Sequence, residues 1–125
     1  MHTVLETRSF GNAAKSLGLS DDERHEIWTA IAGNPLLGDI IKGTGGARKT
    51  RFGGRGKGKS SAYRVVTYYA AEDVPVFLLD IYAKGEKIDL SQSERNQLRK
   101  ILSGIADEYR ASVKVKVARL KEATS

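Results

Sequence analysis

Gly53-Gly54-Arg55-Gly56-Lys57-Gly58-Lys59-Ser60, followed after Ser61 by Ala62-Tyr63-Arg64-Val65-Val66-Thr67-Tyr68-Tyr69, is the stretch whose reading decides the fold. Its first half satisfies G-x-x-x-x-G-K-[ST], the phosphate loop of nucleotide hydrolases. That loop works where a helix starts directly behind it and aims its amides and dipole at the phosphates. Here the residues that follow are rich in β-branched and aromatic side chains, which suit a pleated surface. Val76-Phe77-Leu78-Leu79-Asp80 imitates the apolar strand and acid of a second nucleotide motif. A parallel crossover needs a dozen or more residues with a helix, and between Ser60 and Val76 there is room for a strand and a turn. The glycines therefore read as the loop of a β-hairpin.

Working outward, Arg48 to Phe52 supplies the first strand of that hairpin and Ala62 to Tyr69 the second. After a turn at Ala71-Glu72-Asp73, Val76 to Tyr82 is almost continuously apolar, as a central strand covered on both faces should be. Three consecutive strands with short connections predict an antiparallel meander. Upstream, Val4 to Thr7 can open with a short strand, and Phe10, Ala13, Ala14 and Leu17 recur at helical spacing up to Gly18. Ser20 and Glu23 form a capping box behind Leu19, with Asp21 and Asp22 at the positive end of the dipole. This second helix is expected to bury Ile27, Trp28 and Ile31 and to stop at Gly33-Asn34-Pro35. Downstream, Ser91 and Glu94 form another capping box behind Leu90, and Leu98, Ile101, Leu102, Ile105 and Tyr109 mark the buried face of a third helix. Val113 to Val117 alternates like an exposed strand, yet Val113, Val117 and Leu120 also continue the helical stripe. With no turn signal after Tyr109, residues 107–125 read as a helical extension. The expectation is one α+β domain over residues 1–125, in the order β-α-α-β-β-β-α, with the helices on one face of an antiparallel sheet.

A chain of 125 residues without cysteine has the size of one domain and excludes disulfides and thiolate metal sites. The N-terminal segment lacks the basic flank and apolar run of a signal peptide or membrane span, so a cytoplasmic location and no membrane partner are expected. The net charge of +6 is local: Lys42, Arg48, Lys49, Arg51, Arg55, Lys57, Lys59 and Arg64 occur with no carboxylate between Asp39 and Glu72. Such a cluster raises the energy of the folded state by self-repulsion, and faces a polyanion more often than scattered charge does. A solvated basic loop, a nucleic acid, a membrane surface and an acidic partner all remain compatible with the composition. Seven of the thirteen glycines lie between Gly43 and Gly58, which lets backbone amides approach phosphate oxygens beside the interleaved cations.

RNA carries its own nucleophile. Its 2′-hydroxyl attacks the adjacent phosphate if a base takes the proton, an acid protonates the leaving oxygen and cations stabilise the added charge. His2 and His25 lie far from the hairpin in sequence and read as surface or cap residues. Lysines, arginines and tyrosines are left to act. A Lys among Arg residues has its charged form disfavoured, which moves it toward a usable base, while Arg stays charged at the phosphorane. Tyr82 also reads as an aromatic at the edge of the core, and Lys84 as a solvated charge at a strand end.

An ordered series of motifs runs through this region. It comprises Asn34-Pro35-Leu36-Leu37-Gly38-Asp39, Gly43-Thr44-Gly45-Gly46-Ala47-Arg48-Lys49, Gly56-Lys57-Gly58-Lys59, Tyr63-Arg64-Val65-Val66, and Leu78-Leu79-Asp80-Ile81-Tyr82-Ala83-Lys84-Gly85-Glu86-Lys87 with Asp89-Leu90. From Leu36 to Leu102 the chain resembles a HigB-type member of the RelE/ParE toxin superfamily. The resemblance implies a compact RelE-like fold, and metal-independent, cofactor-free cleavage of mRNA in the decoding site of the 70S ribosome. It also implies neutralisation by a cognate antitoxin protein, with DNA reached only through that antitoxin. It makes Arg64, Lys49 and Arg51 the contacts for phosphate and transition state. With the reading of the residues beside it, the candidate catalytic set is Arg64, Lys84, Tyr82, Lys57 and Lys59, and the candidate RNA-binding set is Arg48, Lys49, Arg51, Arg55 and Lys87. The alternative is a non-catalytic regulator that binds nucleic acid or the ribosome. Nothing in the chain reads as a helix-turn-helix with basic recognition residues.

Overall fold

In a computed structural model of the chain, which describes residues 2–53, 62–83 and 90–124, the apolar run around Phe77 becomes the strand on which the other elements are laid. The order is β1 (Val4–Glu6), α1 (Arg8–Ser16), α2 (Asp21–Gly33), β2 (Asp39–Ile40), β3 (Arg48–Phe52), β4 (Tyr63–Tyr68), β5 (Val76–Ala83) and α3 (Gln92–Thr124). The sheet runs β1-β5-β4-β3-β2, with β1 parallel to β5 and the remaining neighbours antiparallel. The hairpin and meander stand as expected from the sequence. β1 and the two-residue β2 complete the sheet at its two edges. Neither pairing has a local signature, because each joins segments distant in sequence or too short to show a period.

β5 sorts its side chains to two cores. Val76, Leu78 and Ile81 face α1 and α2 together with Val65, Phe10, Ala14, Ile27 and Ile31. Phe77, Leu79 and Tyr82 face the other way, with Val66, Leu90 and Leu102. The α+β class holds, but the expectation that all helices share one face is corrected: α1 and α2 cover one face and α3 the other. The reason lies in β5 itself. A strand apolar on both sides needs cover on both, since each buried Val, Leu or Phe contributes roughly 1.5–3 kcal/mol.

Local chemistry fixes the helix starts. Ser20 accepts from the Glu23 amide and Glu23 returns the bond to the Ser20 amide, completing the capping box. Ser91 and Glu94 do the same before α3. Thr7, read as strand from sequence, is the cap of α1: its Oγ1 accepts from the Phe10 amide and donates to the Leu78 carbonyl at 2.8 Å, tying α1 to β5. Two expected core residues are corrected. Trp28 is 40% exposed, because its indole N–H donates to the Glu6 carboxylate at 2.9 Å instead of entering the core. Ile101 is 52% exposed on the rim of a groove between α3 and the start of α1. No described helix is long and apolar enough to cross a membrane.

Candidate nucleic-acid interface

The α3 side of the sheet carries two rows of paired residues. Arg51 pairs with Arg64, and Arg64 with Tyr82; one step inward, Lys49 pairs with Val66, and Val66 with Asp80. Directly paired residues on neighbouring strands share a face at about 4.5–5.5 Å between Cα atoms. Val66 and Tyr82 belong to the core under α3, so Lys49, Arg51 and Arg64 lie on that face too. Two local features produce this alignment. In β3 the alternation that buries Ala47 sends Lys49 and Arg51 the same way. In β5 a bulge intervenes: Val66 pairs with Asp80 and Thr67 with Leu78, leaving Leu79 as an extra residue. A bulge shifts the alternation by one. Without it Ile81 would stand beside Arg64 and Tyr82 would turn toward α1.

The turn before β3 is held from within. Thr44 is fully buried; its Oγ1 donates to the Ile41 carbonyl at 2.7 Å and accepts from the Ala47 amide at 3.1 Å. Gly43, Gly45 and Gly46 all have positive φ, at 83°, 81° and 120°, which explains the glycine run there. Arg95 of α3 reaches over this turn to the Lys42 carbonyl at 3.4 Å.

Within the outer row the side chains differ in setting. Arg51 is exposed, whereas Arg64 is half-buried and its Nη1 is sealed from solvent with no acceptor among the described residues. A guanidinium N–H held from water without an acceptor is costly, so it is the surrounding packing that fixes this end of Arg64. Tyr82 is buried at 3% exposure in the α3-side core and stands beside Arg64 as its partner on the neighbouring strand. Tyr63, the neighbour of Arg64 in the chain, faces α2. Burial, and then the Glu23 charge, push its hydroxyl above the ordinary tyrosine value, so it stays protonated.

The other sequence-nominated residues are distributed as follows. Arg48 pairs with Thr67 on the α1/α2 side, and its Nη1 donates to the Gly38 carbonyl at 2.9 Å, so it is not gathered with Lys49, Arg51 and Arg64. Arg55, Lys57, Lys59, Lys84 and Lys87 lie outside the described residues. The chain leaves β3 at Gly53, returns at Ala62 and leaves β5 at Ala83. All three points border the Phe52, Tyr63 and Ala83 positions that pair across the end of the sheet next to the Arg64 row. His2 bonds the Val74 carbonyl at 3.1 Å and meets the Tyr69 ring edge-on, and His25 is exposed on α2, so neither approaches the basic row. Sequence reasoning met Asp80 only as the acid of the rejected nucleotide motif and not beside the basic row; its Oδ1 accepts the Ile81 amide at 2.8 Å within the bulge. No periodicity marks an acid at such an irregularity.

Compared with known proteins, residues 2–124 match the family model described as RelE toxin of RelE / RelB toxin-antitoxin system. Among solved structures the chain is similar to a mutant of the Escherichia coli toxin RelE in the free state. That match has 16% identity and a TM-score of 0.49, and covers 70% of this chain and 87% of that one.

Proposed function

This chain belongs to the RelE toxin family, and from that premise we propose that it is a ribosome-dependent endoribonuclease of the HigB type, which stops translation by cutting messenger RNA in the cytoplasm and is held in check by a cognate antitoxin. The observation that carries the reading is the half-buried Arg64, whose Nη1 lacks an acceptor among the described residues, flanked by Arg51 and Lys49 on one face of the sheet. A phosphate laid on that face would meet two arginines and a lysine.

In the proposed reaction a base removes the 2′-hydroxyl proton, the 2′-oxygen bonds to phosphorus, and the bond from phosphorus to the 5′-oxygen breaks. An acid protonates that leaving oxygen, giving a 2′,3′-cyclic phosphate and a 5′-hydroxyl end. Arg64 is assigned to the extra negative charge of the phosphorane, with Arg51 and Lys49 positioning the strand. Tyr82, enclosed by the core, is assigned to fixing Arg64 rather than to moving a proton. Lys57, Lys59 and Lys84 are the proposed proton carriers, and Arg55 and Lys87 further RNA contacts.

The decisive experiment is to induce the chain in cells without an antitoxin and map transcript ends. Translating mRNAs should acquire new 5′-hydroxyl ends within their reading frames as protein synthesis stops. Intact transcripts on stalled ribosomes would instead make the protein a non-catalytic inhibitor.

A further inference from the structure

We propose that the overhanging end of α3 is a docking face for an acidic amphipathic helix of another protein. Arg110 is where α3 leaves the body: its Nε and Nη2 grip the Asp73 carboxylate at 2.6 and 2.8 Å. Beyond it, every residue from Ala111 to Ala123 is exposed. At 1.5 Å per residue the section from 111 to 124 projects by about 20 Å.

Three of its four large exposed apolar residues, all but Val115, fall on one line. Leu98, Leu102, Ile105 and Tyr109 form the line by which α3 sits on the sheet. Val113, Val117 and Leu120 extend that line by steps of four, four and three, at 38%, 42% and 66% exposure. The face that packs on the sheet thus runs on past the sheet's end and is exposed there. A helical section this short is marginal by itself, and its valines are weak helix formers, so packing must supply the stability that the sheet supplies to the first half.

Charge selects the occupant. At 100° per residue, Lys116 and Arg119 fall on one side of the apolar line, and Lys114 and Lys121 on the other. From Ala111 to Thr124 there are four cations and one anion, Glu122. A second copy would set like charges opposite each other, which opposes self-pairing. A nucleic acid would use the cations but leave the aliphatic line uncovered. A lipid surface favours several large side chains such as Trp, Phe and Leu, and this line offers two valines and a single leucine. A helix with Leu, Ile or Val along one face and Asp or Glu at its flanks satisfies both features. The inference stands independently of RNA cleavage.

The test titrates the full chain into a fluorescein-labelled designed helix with Leu at the a and d heptad positions and Glu at e and g, and into its twin with Lys in place of Glu. The Glu peptide should bind saturably and weaken with salt, while the Lys peptide binds at least about tenfold more weakly. Val117→Ser and Leu120→Ser should each weaken the Glu peptide by about tenfold or more, and Val115→Ser, on the opposite side of the helix, by less than about twofold. Circular dichroism would confirm that all three variants keep their helix content. Four outcomes would overturn the proposal: no binding, equal binding of the two peptides, a Val115→Ser loss matching that of Leu120→Ser, or tighter binding to anionic phosphatidylserine vesicles than to the Glu peptide. Dimerisation of the chain in sedimentation that Leu120→Ser abolishes would assign the face to a second copy and overturn it as well.

Discussion

Arg64 holds one nitrogen where water cannot reach it and where no described acceptor meets it. Such an arrangement costs stability and persists where function requires it. Arg64→Ala should therefore leave thermal stability unchanged or slightly raised, while single-turnover cleavage of ribosome-bound mRNA falls by roughly 10²- to 10³-fold, the usual cost of losing one aimed donor. Arg64→Lys should recover little, because an ammonium cannot reproduce the planar fork. A rate within about threefold of the parent at saturating ribosome would remove Arg64 as the stabilising group. The place of Arg64 on the strand behind the glycine loop was legible in the sequence, since Ala62 to Tyr69 reads as that strand and Tyr63–Tyr68 forms it. Which neighbours join it was not. Arg48 and Lys49 are adjacent cations on one strand, and only the pairing of Lys49 with Val66 tells which of them shares a face with Arg64. Tyr82 reaches its place through a one-residue bulge that depends on packing against both helix layers and leaves no mark in the residue types.

Helix boundaries were the most legible elements because their signals are local: the Ser20–Glu23 and Ser91–Glu94 boxes form as read. The side of the sheet each helix takes is a long-range choice, and there the reading failed even though the two-sided apolar pattern of Val76 to Tyr82 held the answer. The β4–β5 turn exerts another long-range control through Asp73. Hydrogen bonding from the Arg110 guanidinium holds its carboxyl below the usual Asp value. A carboxyl depressed in the folded state stabilises that state above its unfolded value, near 3.9, and the contribution disappears as pH falls through the lower folded value. In nuclear magnetic resonance, the Asp73 carboxyl carbon should titrate below the ordinary Asp value, and the Arg110 Nε resonance should shift with it as pH drops below about 4. Asp73→Asn should place the Arg110 Nε resonance at its low-pH position already at neutral pH; an unchanged Arg110 signal would show that the pair does not hold in solution.

Across the whole molecule, charge and layering coincide. The acids of the first turn of α2, Asp21, Asp22 and Glu23, sit on the layer opposite Lys49, Arg51 and Arg64, so a polyanion is steered to one side. The affinity for a single-stranded RNA oligonucleotide should accordingly fall with salt, by about 0.7 log units per log unit of salt for each phosphate contact. Lys49→Ala combined with Arg51→Ala should flatten the slope by about 1.4, while Arg48→Ala, which loses its bond to the Gly38 carbonyl on the other side, should leave it nearly unchanged. Equal flattening by the two sets would mean that RNA does not distinguish the two faces. The layering also decides what light can report. Trp28 is the one tryptophan in the chain, and it stands in a clamp where Glu6 of β1 accepts its indole N–H together with Arg24 Nη2 at 2.6 Å and Nε at 3.2 Å. Its emission is therefore a gauge of whether α2 is seated on β1, read from the side of the sheet away from the basic row. An anion bound on that row should leave the colour of the indole unchanged, whereas loosening of the α2 layer should change it.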